Sequence, residues 1–171
     1  MKNFSKLELS HLHCNKEIDL MWKSNENSPV IEHPVHGLIS PYRYRQLSKG
    51  KPCPYCGQKM CQGKDYMTFS KSEAMLRGYD YINKKGQSYI NNVPDPKHRG
   101  AFLFFHQHYV TLDHKLNKGR FPEKMFDYDN LEPICWRCNQ EKGDDNSFEI
   151  QYNHDYLEAL ADEILARYPI L

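Results

Sequence analysis

The chain has 171 residues, enough for one domain of moderate core or a small core with appended modules. Only 39% of residues are hydrophobic, yet aromatics reach 13% with twelve tyrosines, a composition that argues against a disordered chain. A net charge of +1 gives no global footprint for nucleic acid, and no apolar run is long enough to cross a membrane.

Residues 1–10 lack a hydrophobic signal core, so a cytoplasmic location is expected. Reducing pools there keep thiols free, so the six cysteines favour metal binding over disulfides. Residues 1–50 mix short apolar pieces with turn formers (Asn25, Asn27, Pro29, Pro34, Gly37, Pro41), which predicts short strands and loops rather than helix. Residues 41–64 hold six basic side chains and no acidic one, with Tyr42 and Tyr44 interleaved. Arg43, Arg45, Lys49 and Lys51 are therefore candidate DNA contacts, the alternative being a solvated loop.

Ser70-Lys71-Ser72-Glu73 has the capping-box pattern and predicts a helix to about Arg77. Residues 79–83 and 87–91 flank Lys84-Lys85-Gly86 as a hairpin, and 92–100, with two prolines, reads as a loop. Residues 101–114 suggest one or two strands ending at Asp113-His114, with 131–136 as the return strand and a helix over 137–142. Tyr156, Leu157, Leu160, Ala161, Ile164 and Leu165 repeat at helical spacing and predict a C-terminal packing helix over 149–171.

Cys53-Pro-Tyr-Cys56 and Cys135-Trp-Arg-Cys138 each set two thiols one tight turn apart. Two such knuckles supply the four thiolates that tetrahedral Zn²⁺ prefers in a structural site. A competing grouping takes His33, His36, Cys53 and Cys56, similar to small zinc-ribbon segments. Cys135 and Cys138 would then need Cys14, near His11 and His13, or Cys61. His106 and His108, just upstream of Asp113-His114, read as structural.

Thr111-Leu-Asp-His-Lys115 is followed by Asp129-Asn130-Leu131 and then by Ile134-Cys-Trp-Arg-Cys-Asn-Gln-Glu-Lys-Gly143. This ordered set closely resembles the HNH (ββα-metal, His-Me finger) endonucleases. The resemblance implies an α+β fold whose ββα-metal core is stabilised by zinc knuckles. It places a nuclease core at 51–148 with an insertion at about 62–100, and a DNA-recognition or zinc-ribbon-like module at 1–50. His114 is then the general base, Asp113 and Asn139 the protein ligands of a catalytic Mg²⁺ or similar ion, and Asn130 the residue that aims the histidine.

The residue types suit that chemistry. Phosphodiester hydrolysis needs an activated water and stabilised charge on the phosphate. A carboxylate and an amide carbonyl are hard oxygen donors for a divalent cation, and a neutral imidazole can take the proton of water. Neighbouring side chains on a regular strand face opposite ways, so Asp113 and His114 can serve one site only where the strand ends or is irregular. Lys115, Lys118 and Arg120 follow as phosphate contacts or a solvated loop. The third family position is Asn here, and the stretch from Cys56 to Asp113 is longer than in minimal members. The expected substrate is double-stranded DNA, cut by a restriction or phage-type enzyme that forms a homodimer if both strands of a symmetric site are cleaved. The alternative is a non-catalytic, zinc-stabilised nucleic-acid-binding module.

Overall fold

The strand over Val110–His114 alternates: Val110 and Leu112 are buried, while Thr111 and Asp113 stay partly exposed. In the computed structural model, which describes residues 15–143 and 147–168, this strand is the centre of an α+β fold. The N-terminal part is helix α1 (Asn15–Ser24), hairpin β1 (Ile31–His33) and β2 (Gly37–Ile39), and helix α2 (Pro41–Ser48). After the first cysteine knuckle come β3 (Met67–Thr68), α3 (Lys71–Leu76), β4 (Tyr81–Ile82), β5 (Ser88–Tyr89), β6 (Asn91–Pro94) and β7 (Phe102–Phe105). The chain then forms β8 (Val110–His114), β9 (Leu131–Cys135), α4 (Trp136–Lys142) and α5 (Ser147–Arg167).

β8 and β9 pair antiparallel from Val110↔Cys135 to His114↔Leu131, and α4 follows directly, giving a ββα unit. This hairpin joins two apolar clusters. Val110, Ile134, Cys135 and Cys138 meet Cys53 and Met60 at one end. Leu112 and Leu131 meet Ile31, Ile39 and Tyr44 at the other, where Trp22, Phe126 and Tyr128 also pack. A third cluster of Ala74, Tyr79 and Ile90 lies under α3, against Phe104 of the three-stranded sheet β3-β7-β6.

Three expectations need correction. The first 50 residues contain helices: α1 turns Ile18 and Trp22, four apart, toward the molecule. For α2, the Ser40 hydroxyl accepts from Arg43 N at 3.1 Å, and Pro41 occupies the first turn, where its missing N–H costs nothing. Residues 92–100 are only partly loop, because Asn91–Pro94 pairs with Phe102–Phe105. Pro94 is tolerated because β6 is an edge strand. The third correction concerns α5, which begins at Ser147 and is exposed at every described position; its packing there is slight, Tyr152 edge-on to Phe121 at 6.0 Å and the Lys115 ammonium over Phe148.

The Ser70 cap and the 79–91 hairpin form as expected, with Ser70 Oγ accepting from Glu73 N at 3.3 Å and Tyr81 opposite Tyr89. Among the described residues no helix is long and apolar enough to cross a membrane. Cys14, His11 and His13 lie outside the described residues.

Candidate active site and cysteine cluster

The first knuckle is a tight turn. Gly57 N donates to Cys53 O and Cys53 N to Gln58 O, both at 2.8 Å, and Gly57 adopts φ 72°, which favours glycine. Cys135 ends β9 and caps α4, and Cys138 sits in the helix's first turn. The sulfurs of Cys53, Cys56, Cys135 and Cys138 all lie within 4.8 Å of one another. Cys56 Sγ is 3.7 Å from Cys135 Sγ, and Cys135 N donates to Cys53 Sγ at 3.4 Å across 82 positions of sequence. Burial pushes the Cys135 thiol well up and the Cys138 thiol to about 12. A divalent cation reverses that preference by stabilising thiolates, so this sulfur-only tetrad fits zinc.

The ribbon grouping through His33 and His36 is not assembled. His33 Nδ1 accepts from Val35 N and His36 N, at 3.1 and 3.3 Å, and its ring packs on Tyr44 and Tyr128. Among the described residues neither histidine joins the cysteines. Cys61 stands apart too, buried with its sulfur 3.5 Å from His106 Nδ1.

Asp113 and His114 end β8 at a cleft of about 260 Å³ that Asn139, Lys115, Lys118, Arg120 and Lys142 also line. His114 Nε2 lies 3.1 Å from the Met125 carbonyl, to which it can only donate; Nδ1 is left as the acceptor. Burial pulls the imidazole down to about 4, a shift opposed by the Met125 hydrogen bond and assisted by Lys118 and Lys142. The ring is therefore neutral at pH 7. Trp22 packs edge-on against it with centroids 4.8 Å apart.

The Asp113 carboxylate, almost buried, holds the Lys142 ammonium in an ion pair. Carboxylate oxygens are hard anionic donors of the kind divalent ions take, so Asp113 fits such an ion as ligand. Asn139 Nδ2 donates to Thr111 Oγ1 at 3.1 Å, and Thr111 Oγ1 donates to Ile134 O at 3.0 Å. That chain fixes the amide and assigns its carbonyl oxygen to the acceptor side. Asn130 is buried outside the cleft. Its Oδ1 accepts from Leu116 N at 2.7 Å, and its Nδ2 donates to Leu116 O and Lys124 O at 3.2 and 2.8 Å. It thus fastens the loop that carries Met125, the partner of His114.

The basic candidates divide. Lys118 pairs with Asp19 at 2.8 Å beneath Trp22, and Lys115 Nζ donates to Asp129 O at 2.9 Å, both at the cleft. Arg43, Arg45, Lys49 and Lys51 do not line it. Arg45 is instead half-buried in an ion pair with Glu26, and Arg43 donates to Gln46 Oε1 at 3.3 Å. Lys142, Thr111 and Trp22 complete the cleft's surroundings without having been singled out from sequence. Lys142 stood in the Lys-Gly step of the motif; Trp22 gave no signal, because its place depends on how α1 folds back.

Residues 103–145 match the family model described as HNH endonuclease. No curated protein and no solved structure matches the chain. The matched segment contains β8, β9 and α4 together with both cleft carboxylate and imidazole, so this quarter of the chain is similar to an HNH endonuclease domain.

Proposed function

We propose that the protein is a metal-dependent endonuclease that hydrolyses double-stranded DNA. The observation that carries this reading is the convergence of Asp113, His114 and Asn139 on one cleft rimmed by cationic side chains. His114 Nδ1 takes the proton of the attacking water, while the Nε2–H bond to Met125 keeps that tautomer. Lys115, Lys118 and Arg120 hold the phosphate backbone against the cleft. Asp113 and Asn139 Oδ1 would hold Mg²⁺ or a similar ion, which supplies neutralisation of phosphate charge and help for the leaving oxygen. The four cysteines would hold Zn²⁺, which clamps α4, and hence Asn139, to the hairpin.

Supercoiled plasmid incubated with the protein and Mg²⁺ or Mn²⁺ is the test. Wild-type protein should nick or linearise it, leaving 5′-phosphate and 3′-hydroxyl ends, and His114→Ala should lower the rate at least 100-fold. No cleavage with either ion would remove the enzymatic reading and leave a non-catalytic binding module. Undiminished cleavage by the variant would remove His114 as the base.

A further inference from the structure

A second cleft, of about 470 Å³, borders the catalytic one; Trp22, Leu112 and Asn139 line both. Its size suits a small organic group, such sites being roughly 300–1,000 Å³. Five aromatic rings line it, Tyr42, Phe105, Tyr109 and Trp136 joining Trp22, and the Arg45–Glu26 ion pair sits among them. Phe105 braces two of these rings, at 4.9 Å centroid distance from Tyr109 and from Trp136.

One polar group in this cleft is out of keeping with ordinary packing. Gln62 lines it, is only 5% exposed, and its Oε1 has no hydrogen-bond partner. Buried acceptors are rarely left so, and this one calls for an N–H donor. Flat aromatic walls with one buried acceptor match the two faces of a nucleobase: a π surface that stacks and an edge bearing N–H groups. An aliphatic ligand would use the walls and leave Gln62 unsatisfied; a phosphate would bring further acceptors.

We propose that this cleft accepts a nucleobase turned out of the stack beside the scissile phosphate, with an N–H of the base donating to Gln62 Oε1. The source of the base rests on the DNA-cleaving reading above; the chemistry of the cleft does not. Because Trp22 and Asn139 belong to both clefts, a base held here fixes the strand relative to Asp113 and His114. Gln62 thereby acts as a specificity-determining residue and not as a catalytic one.

Both tryptophans of the chain line the cleft, so its occupancy is read directly by intrinsic fluorescence. The full chain, with no added Mg²⁺, is titrated with each of the four deoxynucleoside 5′-monophosphates and with deoxyribose 5-phosphate. Saturable quenching is expected from at least one nucleotide and none from the sugar phosphate. Gln62→Met, of similar volume but without the acceptor, should weaken the best nucleotide at least fivefold. In a duplex with 2-aminopurine beside the mapped cut, emission should rise several-fold on binding. No saturable quenching by any nucleotide, equal quenching by the sugar phosphate, unchanged affinity in Gln62→Met, or unchanged 2-aminopurine emission would each overturn the proposal. Cleavage without nucleotide quenching removes the base cleft alone; quenching without cleavage removes the nuclease reading alone.

Discussion

Asn130 makes three side-chain hydrogen bonds to backbone, accepting from one N–H and donating to two carbonyls of the loop after β8. Asn130→Ala leaves those groups buried and unpaired, and should cost about 2–4 kcal/mol in urea unfolding. A loss below about 1 kcal/mol would mean the loop is held by other contacts. At this scale the sequence was most informative where chemistry is local. Asp113, His114, Asn130 and Asn139 could be picked out because an ordered motif carries them. Lys142 sat in the same motif, but nothing in linear order says that its ammonium turns back to Asp113 across the hairpin. Trp22 and Gln62 were illegible, since each acquires its surroundings only when distant segments pack against the hairpin.

The element that depends most on a neighbour is α4. Seven residues are too few for a helix to stand alone in water, so its stability comes from what it is fastened to. Cys135 and Cys138 face the first knuckle, while Asn139 and Lys142, three apart, share the side toward the cleft. Stripping the metal with a strong chelator, or Cys135→Ser, should therefore lower the thermal midpoint by about 6–12 °C, equivalent to roughly 3 kcal/mol in a chain of this size. Calorimetry with zinc analysis checks it; an unchanged midpoint after complete removal of zinc would rule out the clamp. The cysteine spacing made this element readable. The N-terminal helices were missed for a physical reason: their apolar contacts are few, Ile18 and Trp22 in α1 and Pro41, Tyr44 and Leu47 in α2, too sparse for periodicity, and the turn formers around them dominated. Only Ser40-Pro41 carried a start signal for α2.

Among the described residues the apolar interior is divided into three clusters, and the polar joints between them carry weight. His106 and His108 occupy one such joint, where Cys61 N donates to His108 O and Tyr66 and Tyr79 pack on the His106 ring. Burial first, then the charge of His108 on His106 and of Arg137 on His108, holds both imidazoles below their ordinary value of 6.5. Folded pKa values below the unfolded ones mean that the unfolded chain takes up more protons below pH 6.5. Stability should then fall as pH drops from 6.5 through the folded values, with no contribution above 6.5. Melting temperatures measured from pH 7 to pH 5 should fall less steeply in the His106→Gln/His108→Gln double variant; equal slopes would clear these histidines. The α+β class and the ββα unit were legible at this scale. The exposure of α5 among the described residues was not, because a helical stripe records what a helix can bury and not what covers it.

The two cysteine knuckles also make the long middle of the chain a loop pinned at its base. Loop-closure entropy rises only with the logarithm of length, about 0.6 kcal/mol for each doubling. While the pin holds, exposed turns between the first knuckle and β8 can be lengthened or shortened with little entropic penalty to the ββα unit. The tolerance ends where that stretch touches the ββα unit: Gln62 and Phe105 line a cleft with Trp136 and Asn139, and Lys84 Nζ donates to Glu141 O, so changes there are felt at the pinned end.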